Sequence, residues 1–284
     1  MSGKLFRNFS FFSATLSFFI LVGIFAVLFT YAQDAMHTFG FDFLFNTEWT
    51  PGEDDEGGVF GGFIPILGTL LSTLIAMILA TPLAMGIAIF LTEIASEKVA
   101  KPVSIAIELL AAIPSIIYGM WGLFYFAPIV QSVVGGNGVG LLTAGIVLAI
   151  MIIPFMAAIT RDSMNTTPSV LKESAYAMGA TKFEVIKDVI MPYSKGGIIG
   201  SIILALGRAL GETMAVAFLI GSVMNIPKHI TDPTTSIPVL LANNFAEAQD
   251  LEMSSMYYLA LILFVISFVI ISTAKFYFFG RKQK

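Results

Sequence analysis

Cysteine is absent from all 284 residues. Disulfides, thiolate metal sites and cysteine nucleophiles are therefore excluded. Histidine occurs only at His37 and His229. Both fall in predicted loops far apart in the chain, and we read them as ordinary loop side chains rather than a shared metal site. Charge is scarce, at 12% of residues, about half the usual share of a soluble domain. The sequence also lacks a nucleotide-binding loop, which needs Gly-x-x-x-x-Gly-Lys followed by Ser or Thr. Its one Gly-Lys pair is Gly3-Lys4. No His/Asp/Glu metal cluster and no nucleophile triad stands out, so a free-standing membrane enzyme is disfavoured. No feature points to nucleic acid.

Apolar residues fill the space that charge leaves. They make up 57% of the chain, Phe alone occurs 26 times, and mean hydropathy is +0.88. A soluble protein of this size would still need a charged surface, so the expected solvent is lipid. A membrane span needs roughly 20 apolar residues. Six runs qualify, at about 11–31, 64–91, 105–126, 140–158, 197–224 and 257–274. Gly135-Gly136-Asn137-Gly138 is a turn signal that separates the third run from the fourth. The first run follows Lys4 and Arg7 as a signal peptide would, but it is long for a signal core and no small-x-small cleavage site follows. It reads as an uncleaved first span. The chain is thus predicted to be an all-α integral membrane protein with six transmembrane helices.

Lys and Arg set the orientation. With the N-terminus in the cytoplasm, all but two of the 15 basic residues lie on the cytoplasmic side. The exceptions are Lys228 outside and Arg208 within a span. This is the positive-inside pattern, and it places both termini in the cytoplasm. The expected organisation is a cytoplasmic N-terminus (1–10), the first span (11–31), an external loop (32–63) and a five-span core (64–284). The external loop carries the acidic run Glu53, Asp54, Asp55 and Glu56 beside Phe41, Phe43, Phe45 and Trp49. It reads either as a solvated loop with aromatic anchors at the membrane interface or as a docking surface for an external partner.

The cytoplasmic loop 159–196 has internal structure. Thr167-Pro168 suits a helix start, with Thr as cap and Pro at the first helical position. Val170, Leu171, Ala175 and Met178 follow along that helix, and Gly179 supplies a stop. Thr181-Lys182-Phe183-Glu184 reads as a capping box opening a second helix. Phe183, Ile186, Val189 and Ile190 recur there at helical spacing, and Pro192 is expected to end it. Two short helices meeting at a glycine corner are predicted. Taken alone, they could be an amphipathic pair lying on the membrane.

Glu173-Ser174-Ala175, then Gly179, then Val189-x-Met191-Pro192 resembles the EAA loop of ABC importer permeases. That family's pattern is Glu-Ala-Ala, three residues, Gly, nine residues, Ile-x-Leu-Pro. Glu173, Ala175, Gly179 and Pro192 match, whereas Ser174, Val189 and Met191 depart conservatively. The resemblance implies a type I importer permease fold and a loop that docks on a separate ATPase subunit and transmits its closure.

Further stretches are similar to the phosphate-specific permeases of this family. They are Trp49-Thr50-Pro51, Phe60-Gly61, residues 65–70 (PILGTL), 82–93 (PLAMGIAIFLTE), 108–115 (ELLAAIPS), 118–122 (YGMWG) and 207–215 (GRALGETMA). The Tyr-Gly-x-Trp-Gly and Gly-Glu-Thr-Met-Ala forms resemble the PstC type more than its PstA-type partner. The resemblance implies inorganic phosphate as substrate and a bacterial or archaeal inner-membrane location. It also implies a PstA-like second permease, two copies of a PstB-like ATPase and an external PstS-like phosphate-binding protein. No cofactor is expected in this chain, and ATP-Mg would sit on the partner ATPase. Alternatives are a sibling importer for sulfate, molybdate or another oxyanion, and a secondary transporter or channel without an ATPase. The sibling would lack the Gly-Arg-Ala-x-Gly-Glu-Thr stretch. The secondary transporter leaves the loop motif unexplained, and no clear internal repeat supports it.

Arg208 and Glu212 stand within the fifth predicted span, where a central Arg costs about 2.5–3.5 kcal/mol on the insertion scale. Their i, i+4 spacing predicts one helix face and a mutual pair. That pair could be purely structural or could serve the transport path, together with Thr213. Gly207 and Gly211 form a small-xxx-small pair expected to admit a close helix. Glu108 is a third candidate acid, near the cytoplasmic end of the third run.

Overall fold

The computed structural model describes residues 3–51 and 58–279. The acidic run at 53–56 lies outside the described residues. The helices are α1 (Gly3–Tyr31), α2 (Gln33–Phe39), α3 (Phe63–Ile89), α4 (Glu97–Ala111), α5 (Ser115–Trp121), α6 (Ala127–Val134), α7 (Leu141–Asn165), α8 (Ser169–Ala177), α9 (Lys182–Glu184), α10 (Met191–Leu210), α11 (Met214–Ala217), α12 (Ile237–Asn244) and α13 (Asp250–Phe279). One short antiparallel hairpin pairs β1 (Trp49–Thr50) with β2 (Val59–Phe60). Among the described residues, six helical stretches are long and apolar enough to cross a membrane. They are Leu5–Tyr31, Phe63–Ile94, Ser115–Val134, Leu141–Asn165, Lys182–Leu210 and Asp250–Phe276. The protein is an all-α, six-span membrane protein.

Contacts divide the chain into two units. The first comprises Met1–Phe63 with Leu240–Ile266, and the second comprises Ile64–Val239 with Ser267–Lys284. In the first unit, α1 leaves most of its aromatic surface uncovered, including Phe6, Phe12 and Phe19, as a helix bathed in lipid would. Its C-terminal end is anchored to α13, where the Ser254 hydroxyl donates to the Tyr31 carbonyl at 2.8 Å and accepts the Ala35 N–H at 3.0 Å. Phe43 is fully buried and stacks on Tyr258, with ring centroids 4.7 Å apart. Trp49 meets Phe60 edge-on and donates its indole N–H to Glu252 at 3.2 Å. Two of the four aromatics read as interface anchors or docking groups are therefore packing groups of this unit. Phe41 and Phe45 remain exposed.

In the second unit, α7 is the most buried span and carries a near-continuous apolar core from Leu141 to Met164. Lipid supplies no hydrophobic drive between helices, so small residues govern how closely they pack. Ala76, Ala80, Ala84 and Ala88 repeat every fourth residue along α3, all fully buried. Gly145 of α7 sits on Ile75, where a Cβ would press on that side chain. Gly197 of α10 lies against Ser163 of α7 in the same way. The first N–H groups of α7 have no partner within the helix. Carbonyls of an irregular segment supply them, with Leu219 accepting from Gly140 at 2.8 Å, Asp232 from Leu141 at 3.1 Å and Ile230 from Leu142 at 2.7 Å. The Asp232 carboxylate in turn accepts the N–H groups of His229 at 2.8 Å and Lys228 at 2.9 Å. Those bonds hold its pKa below the ordinary Asp value, the His229 bond most strongly.

Several predicted boundaries move. The apolar run at 105–126 is two helices, because Pro114 takes an extended conformation (φ −58°, ψ 138°) and breaks α4 from α5. The third span-length helix is Ser115–Val134. Residues preceding Pro disfavour helical geometry, so the break follows from local sterics. The fifth run begins earlier and ends earlier than predicted, at Lys182 and Leu210. The Gly135-Gly136-Asn137-Gly138 turn is present, with φ of +85°, +78° and +75° at its three glycines.

Candidate functional site

The short helix α8 ends in a complete glycine corner. Gly179 takes φ +88°, a left-handed conformation that Gly adopts without steric cost. Its N–H donates to the Tyr176 carbonyl at 2.9 Å, and the Ala180 N–H donates to the Ala175 carbonyl at 3.1 Å. These two crossed bonds form a Schellman motif and satisfy carbonyls that the helix end would leave bare. The capping box follows at once. Thr181 Oγ1 accepts the Glu184 N–H at 3.4 Å, and the Glu184 carboxylate accepts the Thr181 N–H at 2.7 Å. The glycine stop and the second helix start thus form as expected from the residues.

Two parts of the predicted loop differ. Thr167 does not cap α8; Pro168 occupies the cap position, and no side-chain cap bond is made. The Thr167 hydroxyl is buried without a hydrogen-bond partner. Pro192 does not end the second helix. The chain passes from α9 through a π turn at Val185–Ile190 directly into α10. A π turn widens the helix and changes which carbonyls are used, and this relieves the clash and lost bond that Pro imposes. From Lys182 onward the loop is therefore continuous with the fifth span, with no break at Pro192.

Within this element, Ala175 is buried in a cluster with Ala88, Met164, Val185, Ile190 and Ile198. Glu173, Ser174, Gly179 and Pro192 are exposed. Two large apolar side chains flank the corner in the open, Met178 at 84% and Phe183 at 71% exposure. The Lys172 ammonium of α8 meets the Glu93 carboxylate at 2.6 Å, with side-chain exposures of 23% and 8%. Glu93 lies in a π turn, Phe90–Ile94, that closes α3. Residue types alone did not single out this pair. Glu93 was visible as the lone acid ending an apolar run, but its partner is 79 positions away.

The Arg208–Glu212 pair does not form. Helix α10 stops at Leu210, so the two residues no longer share a helix face. Among the described residues, the ion pairs are Arg161–Glu108, Arg161–Asp162 and Lys172–Glu93. Arg208 instead stacks its guanidinium over Phe155, 5.5 Å from the ring centroid. Glu212 accepts the Ala215 N–H at 3.1 Å and so caps the short α11, with Thr213 at the cap position. Gly207 does meet another helix, since a Cβ there would lie 3.3 Å from Ile271 of α13, whereas Gly211 lies beyond the end of α10. Glu108, on exposed α4, pairs with Arg161 of α7 at 2.9 Å. A cavity of about 450 Å³ opens beside that pair, lined by Glu97, Lys101, Ser104, Arg161, Asp162 and Asn165 among others. Among the described residues, no group of three or more His, Asp or Glu side chains could hold a metal ion.

Residues 67–284 match the family described as binding-protein-dependent transport system inner membrane component. Relatives named phosphate transport system permease protein PstC occur in Pasteurella multocida and Mesorhizobium japonicum. The first is 45% identical over 95% of this chain and 90% of its own length. The second is 44% identical over 93% and 86%. A relative in Methanocaldococcus jannaschii, named as a probable PstC, is 35% identical over 89% and 86%. Among solved structures, the inward-facing MetNI methionine ABC transporter aligns with a TM-score of 0.63 at 19% identity, covering 76% of this chain and 94% of that one. A bacterial ABC transporter involved in import of the polysaccharide alginate gives 0.60 at 16% identity over 99% and 100%. At these identities the structures establish a shared fold.

Proposed function

This chain belongs to the binding-protein-dependent transport system inner membrane components, and on that premise we propose that it is a PstC-type permease subunit that carries inorganic phosphate inward. The relatives that bear the phosphate name align over nearly the whole chain. The chain is a transport subunit and not itself an enzyme. A PstB-like ATPase, binding ATP-Mg, docks on the loop that contains α8 and α9. A PstA-like permease completes the membrane path, and an external PstS-like protein delivers phosphate. The membrane is the plasma membrane of a bacterium or archaeon, with both termini in the cytoplasm.

The observation that carries this reading is the corner itself. A Schellman turn followed immediately by a capping box fixes two helices at a defined angle, and Met178 and Phe183 stand uncovered on it. Val170, Leu171 and Tyr176 of α8 are exposed as well, and uncovered apolar side chains on a cytoplasmic loop suit burial in a partner's groove. The seat of Ala175 and the unbroken passage into α10 give that partner's motion a stiff path into the membrane. Glu173 and Ser174 lie at the docking surface.

Arg208 is the side chain best suited to compensate an anion in the path. It has no carboxylate partner among the described residues and lies near the C-terminal end of the span-length helix Lys182–Leu210, away from Lys182, Lys187 and Lys195 toward the other end. A phosphate dianion in a low-dielectric path needs such a charge. Glu212 holds the helix break rather than neutralising Arg208. Glu108 belongs to the Arg161 pair and has no direct part in the path.

The experiment is co-purification followed by reconstitution. Affinity-purified protein should bring down a second permease and an ATPase. Vesicles containing that complex should accumulate labelled phosphate only when ATP and the external binding protein are supplied. Uptake without ATP would assign a secondary transporter instead.

A further inference from the structure

We propose that the Lys172–Glu93 ion pair is the joint through which movement of α8 is transmitted to α3. The inference rests on the reading of α8 as the ATPase-docking element and names the residues that make the docking productive.

Helix α8 hangs between Pro168 and the Gly179 corner. Its backbone bonds are local, and Ser174 bonds only to Val170 in the same helix, at 2.7 Å. Among the described residues, the one side-chain hydrogen bond from α8 to another element is Lys172 Nζ to Glu93 Oε1, at 2.6 Å. Apolar contact at Ala175 seats the helix but has little directional grip, because small apolar surfaces slide. A charged, hydrogen-bonded contact that is largely removed from water resists sliding, since separation would leave a carboxylate buried and unpaired. The Glu93 side chain keeps only 8% exposure.

The position of Glu93 gives this grip a consequence. It lies in the π turn Phe90–Ile94, where the hydrogen-bond ladder of α3 shifts register. Such turns are local irregularities that recur at functional sites. In the same turn, Thr92 Oγ1 donates to the Ala88 carbonyl at 3.0 Å and lies 3.9 Å from Met164 Sδ of α7. Ala88 and Met164 belong to the buried cluster that seats Ala175. A pull on Lys172 therefore acts on the end of α3 where it already packs against α7. The passage through α9 into α10 is the second route, and the ion pair adds the second span, Phe63–Ile94, to the elements that move. Lys172 and Glu93 are positioning residues; neither is assigned contact with the transported ion.

The test uses the reconstituted complex and reads uptake and ATP hydrolysis separately. Lys172→Met and Glu93→Gln should retain the ATPase at wild-type stoichiometry, because the pair lies off the exposed Met178 and Phe183 surface. Each should lower phosphate uptake per ATP about tenfold, the order of a coupling free energy. Lys172→Arg, and the exchange Lys172→Glu with Glu93→Lys, should restore the ratio. The cysteine-free chain permits a second measurement. Lys172→Cys with Glu93→Cys should be uncoupled, and bridging the two thiols with a short bis-thiol reagent should recover uptake per ATP. Wild-type coupling in both single variants, or no recovery on bridging, overturns the proposal. A Gly179→Val control separates the two readings. If that control transports normally, the docking assignment falls, and the joint falls with it. If it is inactive while the Lys172 and Glu93 variants are fully coupled, only the joint falls.

Discussion

A substitution series at Gly179 isolates backbone conformation from contact. Its φ of +88° lies in the left-handed region, and a Cβ built there would meet nothing within 4 Å. Within this chain a side chain there therefore acts through the backbone and not through a clash. For an L-residue, that conformation costs about 1–2 kcal/mol. If the free loop relaxes to avoid the cost, the competent corner falls by roughly 5–30-fold in population, and apparent affinity for the ATPase falls by the same factor. Asn tolerates left-handed geometry better than Ala, and β-branched Val tolerates it least. The expected order of ATPase affinity is Gly, Asn, Ala, Val. Asn is bulkier than Ala, so this order cannot be produced by size. The assay is titration of detergent-solubilised permease complex with labelled ATPase subunit. If Ala binds more tightly than Asn, or if Val equals Gly, the corner does not act through its backbone.

Arg208→Gln is expected to reduce phosphate uptake, normalised to assembled complex, to background, with Arg208→Lys retaining part of it. Because Glu212 caps α11 rather than pairing with Arg208, adding Glu212→Gln should not rescue the first variant; near-normal uptake by the double variant would refute the anion-path role. For orientation, single cysteines at Ile230 and Lys182, both exposed in the structure, should behave oppositely in intact cells. An impermeant thiol reagent should label the first and spare the second, and the reverse pattern would invert the topology.

What could be read from residues alone followed the range of the interaction. The number of spans rests on composition over about 20 residues, and six span-length helices are present. The Gly179 stop and the Thr181–Glu184 box are fixed by bonds no more than five residues apart, so their chemistry is local and they form as predicted. Pro192 does not end the helix because the turn before it is π, and the apolar spacing of that turn, whose Val185 and Ile190 are buried, does not distinguish π from α. The Arg208–Glu212 pairing failed for a related reason. The i, i+4 rule holds only inside a continuous helix, and Gly211 ends α10 between them. Lys172–Glu93 and Arg161–Glu108 join positions 79 and 53 residues apart, and no local pattern announces such contacts.

The central claim about this chain is that ATP hydrolysis by a co-assembled subunit drives phosphate through it. The decisive measurement is accumulation of labelled phosphate by vesicles that contain the purified complex, with the external binding protein supplied and internal ATP varied. Accumulation should require ATP, should stop when the ATPase is inactivated, and should resist competition by excess sulfate. Accumulation that persists without ATP, or that sulfate abolishes, would contradict it.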